Sequence, residues 1–366
     1  MKWGDDDLYS TTEGDNRRRL LQLALYAQHL GTGNTIFCRS IKVSTVKAYT
    51  NAAASLMALF GDHPRDFRKE VPTDAHVSRV LSTVYNELHR WETVPNRREP
   101  FAPEMLRDVQ RRASSSTVNC RQPDSLLSAL ADWFQCALFA GFRLSEWAQD
   151  AYHSAPDSYR RDMHLDAKAL CLGDVRFESA SGARLSSTEA LLANPLSSLS
   201  KCWIQFRTQK NGENGEEKLF SRHDNETGMC FVSAMLRIIQ RFARLRGTAD
   251  FTTPLGLCRE ETLRGSPPRV LLITSRDIEQ LMRETACRVY HLDPIKDRAA
   301  LQLWSAHSLR VGACVILHTM GFSESQIKWI LRWRSNAFMV YLRNTAILAR
   351  QHVDVMDAAF AMPHFL

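Results

Sequence analysis

The chain has 366 residues, enough for about two domains, and 44% of them are hydrophobic and 24% charged. This balance excludes a mostly disordered, collagen-like or membrane-spanning chain. The formal net charge is +7, and 37 of the 47 basic residues are Arg, the side chain best matched to phosphate oxygens, which favours a polyanionic partner such as nucleic acid.

The first 94 residues carry only helical patterns. Residues 1–20 are predicted to form a flexible tail, because they are mostly polar and charged. Apolar residues recur at helical spacing from Leu20, over Val43–Phe60 and over Thr73–Trp91. Residues 21–94 therefore predict a small helical domain, and the proline-bounded polar segment 95–100 predicts a hinge.

Helical and strand patterns are mixed over residues 101–366. Helices are predicted over Pro103–Arg112, Ser125–Phe139, Cys230–Arg246, Asp277–Tyr290 and His307–Met320, and strands over Leu172–Glu178 and Cys202–Thr208. The serine-rich segment 179–200 is predicted to be a surface loop, and residues 210–215 the tip of a hairpin. The predicted fold class is mainly α with a small antiparallel β-sheet, an α+β domain after a helical N-terminal domain.

The last helices have clear boundary signals. Gly321 is placed to end the helix that begins at His307, and Ser323 with Gln326 predicts a capping box for the next one. A further helix is predicted over Asn336–Leu348, followed by an apolar segment, Val353–Phe360.

Nine cysteines are scattered along the chain, and no two have the C-x-x-C spacing. We therefore expect neither a disulfide framework nor a zinc site, and we expect a reducing intracellular compartment. No metal or other cofactor is predicted.

Three short motifs contain the residues that carry chemistry. They are Gly141-Phe-Arg143-Leu-Ser-Glu146, Ala306-His307-Ser-Leu-Arg310 and Arg332-Trp333-Arg334-Ser-Asn-Ala-Phe-Met-Val-Tyr341. A single Arg, H-x-x-R pair or Tyr is usually structural, and Trp333 alone is typical of packing. Together, in this order, the motifs resemble the tyrosine recombinase (integrase) family, with details most similar to the Crypton and DIRS-like recombinases of eukaryotic mobile elements. The resemblance covers roughly residues 97–366.

The resemblance implies a set of catalytic roles. Arg143 and Arg310 would neutralise the phosphoryl oxygens. His307, one helical turn before Arg310, would bind the phosphate or exchange a proton with the attacking group. Trp333 would donate its indole N–H to the phosphate. Tyr341 would be the nucleophile, with nearby cations favouring its phenolate.

Two further assignments complete the predicted site. Lys210, on the hairpin, is the candidate general acid for the leaving 5′-oxygen, and Lys218 on the same hairpin is the alternative. Glu146 is predicted to orient Arg143. The product would be a 3′-phosphotyrosyl bond, formed with neither metal nor other cofactor.

The same resemblance implies a clamp on double-stranded DNA. The helical domain (21–94, SAM-like and core-binding) and the catalytic domain (101–366) would enclose the duplex, as a dimer on one site and a tetramer in synapsis. Candidate DNA-binding residues are Arg39, Lys42, Lys47, Arg334 and Arg343. The segment Val353–Phe360 would pack on a neighbouring subunit or within its own chain.

The sequence thus predicts a site-specific DNA recombinase of a mobile element, located in the nucleus on the basis of the eukaryotic resemblance, with no membrane partner. Three alternatives stay open. One is a catalytically inactive DNA-binding protein of the same fold, and another is an enzyme like a type IB topoisomerase. The third is a soluble helical interaction protein with no nucleic-acid role, which a steep salt-dependent affinity for duplex DNA would exclude.

Overall fold

The computed structural model describes residues 13–33, 41–60, 79–91, 97–115, 123–148, 169–192, 198–207, 214–223, 228–260 and 269–342. The chain divides into two compact units, Met1–Pro95 and Asn96–Leu366. Whether residues 95–100 act as a hinge stays a prediction. No helix within the described residues is long and apolar enough to cross a membrane.

The first unit contains three described helices: α1 (Glu13–Gly31), α2 (Val43–Phe60) and α3 (Arg79–Arg90). Their buried residues recur at three- and four-residue spacing, for example Leu20, Leu23, Ala27 and Leu30 on α1, and they form one core. Helix α1 begins at Glu13, inside the segment predicted to be a tail. Glu and Arg favour helix, so the polar residues before Leu20 continue the helix whose apolar stripe is buried.

The second unit is built around a hydrophobic helix. Its helices are α4 (Pro103–Ser115), α5 (Leu126–Ala140), α6 (Ser187–Leu192), α7 (Phe231–Arg246), α8 (Ser275–Tyr290), α9 (Arg298–Leu301), α10 (Ser308–Thr319), α11 (Glu324–Leu331) and α12 (Met339–Leu342). Helix α5 contacts α4, α7 and α10. A helix with neighbours on several sides must be apolar nearly all round, which explains its sequence, Leu-Leu-Ser-Ala-Leu-Ala-Asp-Trp-Phe-Gln-Cys-Ala-Leu-Phe-Ala.

A four-stranded antiparallel sheet lies beside these helices, with strand order β2-β1-β3-β4. The strands are β1 (Val175–Ser179), β2 (Arg184–Ser186), β3 (Leu199–Phe206) and β4 (Glu216–Ser221). In β3 the buried residues Cys202, Ile204 and Phe206 alternate with more exposed ones, as expected for a strand with one face on the core. A second, two-stranded sheet pairs β5 (Leu257–Arg259) with β6 (Val270–Leu272).

The predicted fold class, mainly α with a small antiparallel sheet, is confirmed. The segment 179–200 is not only a loop, because it contains β2 and α6. The helix predicted over Asn336–Leu348 is shorter in the described part, a 3₁₀ turn over Asn336–Phe338 followed by α12. Residues 343–366, including Val353–Phe360, lie outside the described residues.

Candidate active site

The first motif lies where α5 ends. Gly141 caps the helix in the left-handed conformation, with φ of 58°. A side chain there would also collide with Leu331, whose Cδ2 would be 2.6 Å from a Cβ. This turn leads into Arg143 and a 3₁₀ turn, Leu144–Glu146. Glycine therefore allows the motif to turn closely against the end of α11.

Glu146 accepts hydrogen bonds from both the backbone and the side chain of Arg143. One carboxylate oxygen accepts the Arg143 backbone N–H at 2.8 Å, and the other accepts Arg143 Nη1 at 3.1 Å. Glu146 is buried. These are the contacts that the predicted orienting role requires.

The second motif begins α10 and buries an arginine. Only 3% of Arg310 is exposed. Its guanidinium donates to the carbonyls of Gly141 and Leu331, and to that of Arg332 at 3.5 Å. These carbonyls lie at the C-terminal ends of α5 and α11, where helix dipoles favour a cation. Burial, and then the nearby positive charges, lower the pKa of Arg310 to about 9, which leaves it charged at neutral pH.

The third motif brings the predicted nucleophile to the second motif. Ser335 caps the 3₁₀ turn through the Ala337 N–H, and α12 follows with Tyr341. The Tyr341 hydroxyl lies 2.9 Å from His307 Nε2, a hydrogen bond between residues 34 positions apart. The structure therefore unites a phenol and an imidazole that sequence spacing alone could not place together.

The ionisation of this pair favours a neutral imidazole. Part of His307 is exposed, but its ring packs against Tyr341. Desolvation, followed by the positive charges of Arg310 and Arg98, lowers the pKa of His307 to about 4. A neutral imidazole can accept the phenol proton through Nε2.

The role of Tyr341 as a nucleophile stays a prediction, and in the protein without DNA two opposing effects act on its phenol. Burial raises the pKa of Tyr341 above its ordinary value, and Arg310 only partly opposes this effect. The hydroxyl therefore keeps its proton at neutral pH, and an acceptor for that proton is needed in the reaction.

Trp333 is placed differently from the prediction. Its indole nitrogen is buried and has no hydrogen-bond partner among the described residues. Its ring lies 4.5 Å from the Arg310 guanidinium carbon and 6.1 Å from the Tyr341 ring centroid. Trp333 thus packs near both the arginine and the tyrosine, and its N–H is buried in the protein without DNA.

Arg332 begins the third motif, but no role was predicted for it. Arg332 forms two hydrogen bonds of 2.9 Å to the two oxygens of Glu146, and both side chains are almost completely buried. Burial raises the pKa of Glu146, but the charges and hydrogen bonds of Arg332 and Arg143 outweigh it and lower that pKa below its ordinary value. The motif contains Arg332, but the sequence does not indicate its pairing with Glu146, which is 186 residues away.

Of the two candidate general acids, only Lys218 lies within the described residues. Its Nζ donates to the Trp329 carbonyl at 3.0 Å, pairs with Glu216 at 2.8 Å, and lies 4.0 Å from the Trp329 ring centroid. Lys218 is buried. It therefore lies against α11, the helix whose end binds Arg310. Lys210 lies outside the described residues.

Of the described candidate DNA-binding residues, Arg334 and Lys42 are exposed and Lys47 is half-buried. Arg334 is exposed and lines an open cleft of about 950 Å³, together with Glu216, Ser323, Glu324, Ser325, Lys328, Trp329, Arg332, Trp333 and Asn336. In the first unit, Lys42 is exposed just before α2, and Lys47 lies 5.1 Å from the Tyr85 ring centroid. Arg39 and Arg343 lie outside the described residues.

Metal-ligating side chains do not cluster in the part of the chain that the structure describes. No group of three or more His, Cys, Asp and Glu is arranged there to hold an ion. The seven described cysteines are all unpaired thiols.

Comparisons with known proteins give structural likeness only. No protein-family model and no curated protein matches the chain. Similar solved structures include the Tn1549 transposon integrase in complex with circular intermediate DNA, which is 14% identical to this chain. The match covers 94% of this chain and 86% of that chain, with a TM-score of 0.37. A variant of that integrase with transposon right end DNA is 13% identical to this chain. The match covers 96% of this chain and 94% of that chain, with a TM-score of 0.36. At such scores the likeness assigns neither family nor function.

Proposed function

We propose that the chain is a tyrosine-type DNA recombinase that cleaves and rejoins DNA strands through a 3′-phosphotyrosyl intermediate. The observation that carries the proposal is the 2.9 Å hydrogen bond between Tyr341 and His307 beside the buried charge of Arg310. The three motifs come from distant parts of the chain, and this contact joins two of them. A structural tyrosine needs no such arrangement of acceptor and cation.

The chemistry follows from the two side chains. The Tyr341 oxygen attacks the phosphorus of a phosphodiester, while its proton passes to the neutral His307 Nε2. A bond forms between the tyrosine oxygen and phosphorus, and the bond from phosphorus to the 5′-oxygen breaks. The leaving 5′-oxygen takes a proton from a general acid, for which Lys210 and Lys218 are the candidates. Attack by the 5′-hydroxyl of another strand reverses these steps and rejoins the DNA.

Two cations support the charge that develops on the phosphate. Arg310 is held rigidly by backbone carbonyls, and Arg143 is held by Glu146. Fixed donors need no reorganisation as negative charge grows, which is the main advantage of a preorganised site. Arg143 lies close enough to Arg310 to lower its pKa, so both charges act on one region.

The finer elements of the proposal concern substrate and assembly. Double-stranded DNA of a mobile element is the proposed substrate, bound by a dimer at one site and by a tetramer in synapsis, without metal or other cofactor. The net charge of +7 and the exposed Arg334 and Lys42 support a DNA partner. Integration or excision in the nucleus is the proposed setting.

Trapping of covalent adducts tests the proposal. The protein is incubated with a library of supercoiled DNA fragments and with nicked duplexes, then denatured in detergent, and DNA attached to protein is recovered. We expect adducts from the wild type and none from Tyr341→Phe. Tyr290→Phe is the matched control, because the Tyr290 hydroxyl donates to Glu104 at the surface. This variant should keep full activity.

The outcomes separate the alternatives. Salt-sensitive DNA binding without adducts on either substrate would favour the inactive DNA-binding protein. Adducts with relaxation of supercoils but no strand exchange between duplexes would favour a topoisomerase. Equal adducts from Tyr341→Phe and wild type would refute the assignment of the nucleophile.

A further inference from the structure

Arg332 connects the two arginines proposed to bind phosphate. Its guanidinium binds both oxygens of Glu146, and Glu146 binds the backbone and the side chain of Arg143. Its backbone carbonyl accepts Arg143 Nη2 at 3.3 Å and Arg310 Nη2 at 3.5 Å. Arg332 therefore contacts both arginines through its carbonyl, and its side chain is connected to Arg143 through Glu146.

The backbone of Arg332 has an unusual conformation. It caps α11 with φ of 57°, a left-handed conformation that favours glycine over residues with a Cβ. The side chain is 1% exposed, and its guanidinium carbon lies 3.6 Å from the Phe206 ring centroid. A strained backbone conformation persists only where contacts with neighbouring residues stabilise it. Residues with such conformations are concentrated at functional sites.

The charges of the cluster suit a phosphate. Arg143, Arg310 and Arg332 contribute three positive charges, and Glu146 contributes one negative charge, so these four side chains carry a net charge of +2. Without Arg332, the buried Glu146 would neutralise one of the two remaining cations. Arg332 therefore lets Glu146 orient Arg143 while an excess of positive charge remains for the phosphodiester.

We infer that Arg332 is a positioning residue that fixes Arg143 and Arg310 in the geometry for phosphate binding. The inference rests on the proposed function, because it assigns those two arginines to the phosphate. Arg332 itself does not touch the DNA in this account. It acts through Glu146 and through its own carbonyl.

Two variants separate positioning from folding. Arg332→Lys keeps the charge but loses the planar fork that binds both oxygens of Glu146. The double variant Arg332→Met with Glu146→Met replaces the buried ion pair with apolar side chains, an exchange that often preserves stability. We expect both to form Tyr341 adducts about 100-fold more slowly, because small displacements of catalytic groups cost about that much.

The first readout compares rate with stability. The double variant should melt close to the wild type and still cleave about 100-fold more slowly. If Arg332 were only structural, cleavage would return with stability, and a wild-type rate in the stable double variant would overturn the inference. A wild-type rate in Arg332→Lys would overturn it too, because charge alone would then suffice.

The second readout does not depend on cleavage. In protein labelled with ¹⁵N-arginine, the Nε–H signals of Arg143 and Arg310 should be sharp in the wild type and broadened or shifted in Arg332→Lys. Unchanged signals would overturn the inference even if cleavage fell. Absence of wild-type adducts would instead refute the proposed function, and the arginine signals would still decide whether Arg332 positions its neighbours.

Discussion

Replacing Gly312 with alanine should damage both the fold and the site. Gly312 lies on α10, two residues after Arg310, where the helix passes the backbone of Phe101. A Cβ at this position would lie 2.2 Å from the Phe101 carbonyl oxygen, whereas ordinary contacts begin at 3.4 Å. Backbone cannot rotate away, so α10 must shift by about 1 Å relative to Phe101. Overpacking of this kind costs about 3 kcal/mol, at the upper end of the usual range.

The expected effects can be measured on the purified protein. A loss of about 3 kcal/mol should lower the melting temperature by roughly 6 to 12 °C for a unit of this size. Because α10 carries Arg310 and follows His307, the same shift should slow adduct formation about 100-fold. Calorimetry gives the first quantity, and single-turnover cleavage of a nicked duplex gives the second.

A second glycine supplies the control. A Cβ on Gly173 would meet only Phe251 Cδ1, at an ordinary 3.6 Å. Gly173→Ala should therefore leave both quantities unchanged. A Gly312→Ala protein with wild-type melting temperature and cleavage rate would refute the reasoning that the close approach of α10 to Phe101 sets the geometry of the site.

Three further predictions concern ionisable groups. Glu146→Gln should destabilise the protein by about 3 kcal/mol, because it leaves Arg332 buried without its carboxylate. The folded-state pKa of Glu146 is lowered, so the stability that its carboxylate contributes is present above the unfolded-state pKa and is lost as the pH falls. Melting curves of the variant at acid pH should therefore lack this pH-dependent loss of stability. His307 should titrate with a pKa of about 4 by NMR in the DNA-free protein. Because this folded-state pKa is lowered from 6.5, the stability of the protein should decrease as the pH falls from about 6.5 towards 4. A titration near 6.5 would contradict the desolvation of the ring. A DNA substrate with a 5′-bridging phosphorothiolate has a leaving group that needs no proton. If Lys218 is the general acid, the Lys218→Ala variant should cleave this substrate, whereas Tyr341→Phe should not. If this substrate restores cleavage only in Lys210→Ala, the general acid is Lys210.

Local signals in the sequence predicted local structure well. The capping box at Ser323 and Gln326 is present, with the Ser323 N–H donating to the Gln326 side chain at 2.8 Å. Gly321 follows α10 with φ of 86°, as expected for a residue that ends a helix. Such features depend on a few neighbouring residues, and for that reason they can be read from sequence alone.

The serine-rich segment shows where composition misleads. It suggested a solvated loop, yet Ser187 is buried and its hydroxyl donates to the carbonyls of Leu172 and Val175. The neighbouring Ser186 N–H donates to Glu189 at 2.7 Å and helps to begin α6. Serine can satisfy backbone groups inside a fold, and whether it does so depends on residues far away in the sequence.

The contacts within the candidate site could not be predicted from the sequence. The resemblance selected Arg143, His307, Arg310 and Tyr341, whose catalytic roles stay predictions, and their contacts are made across the fold. The role of Arg332 was missed, although the residue begins the third motif, because its partner, Glu146, is 186 residues away. The donor role of Trp333 was predicted from its chemistry, whereas burial of its nitrogen is a property of the packing.

Identification of the modified residue and of the DNA end tests the central claim most directly. Adducts formed by the wild-type protein are digested with nuclease and protease, and the peptide that carries a nucleotide is sequenced by mass spectrometry. We predict a nucleotide joined through its 3′-phosphate to Tyr341. A nucleotide on any other residue, or one joined through a 5′-phosphate, would contradict the account.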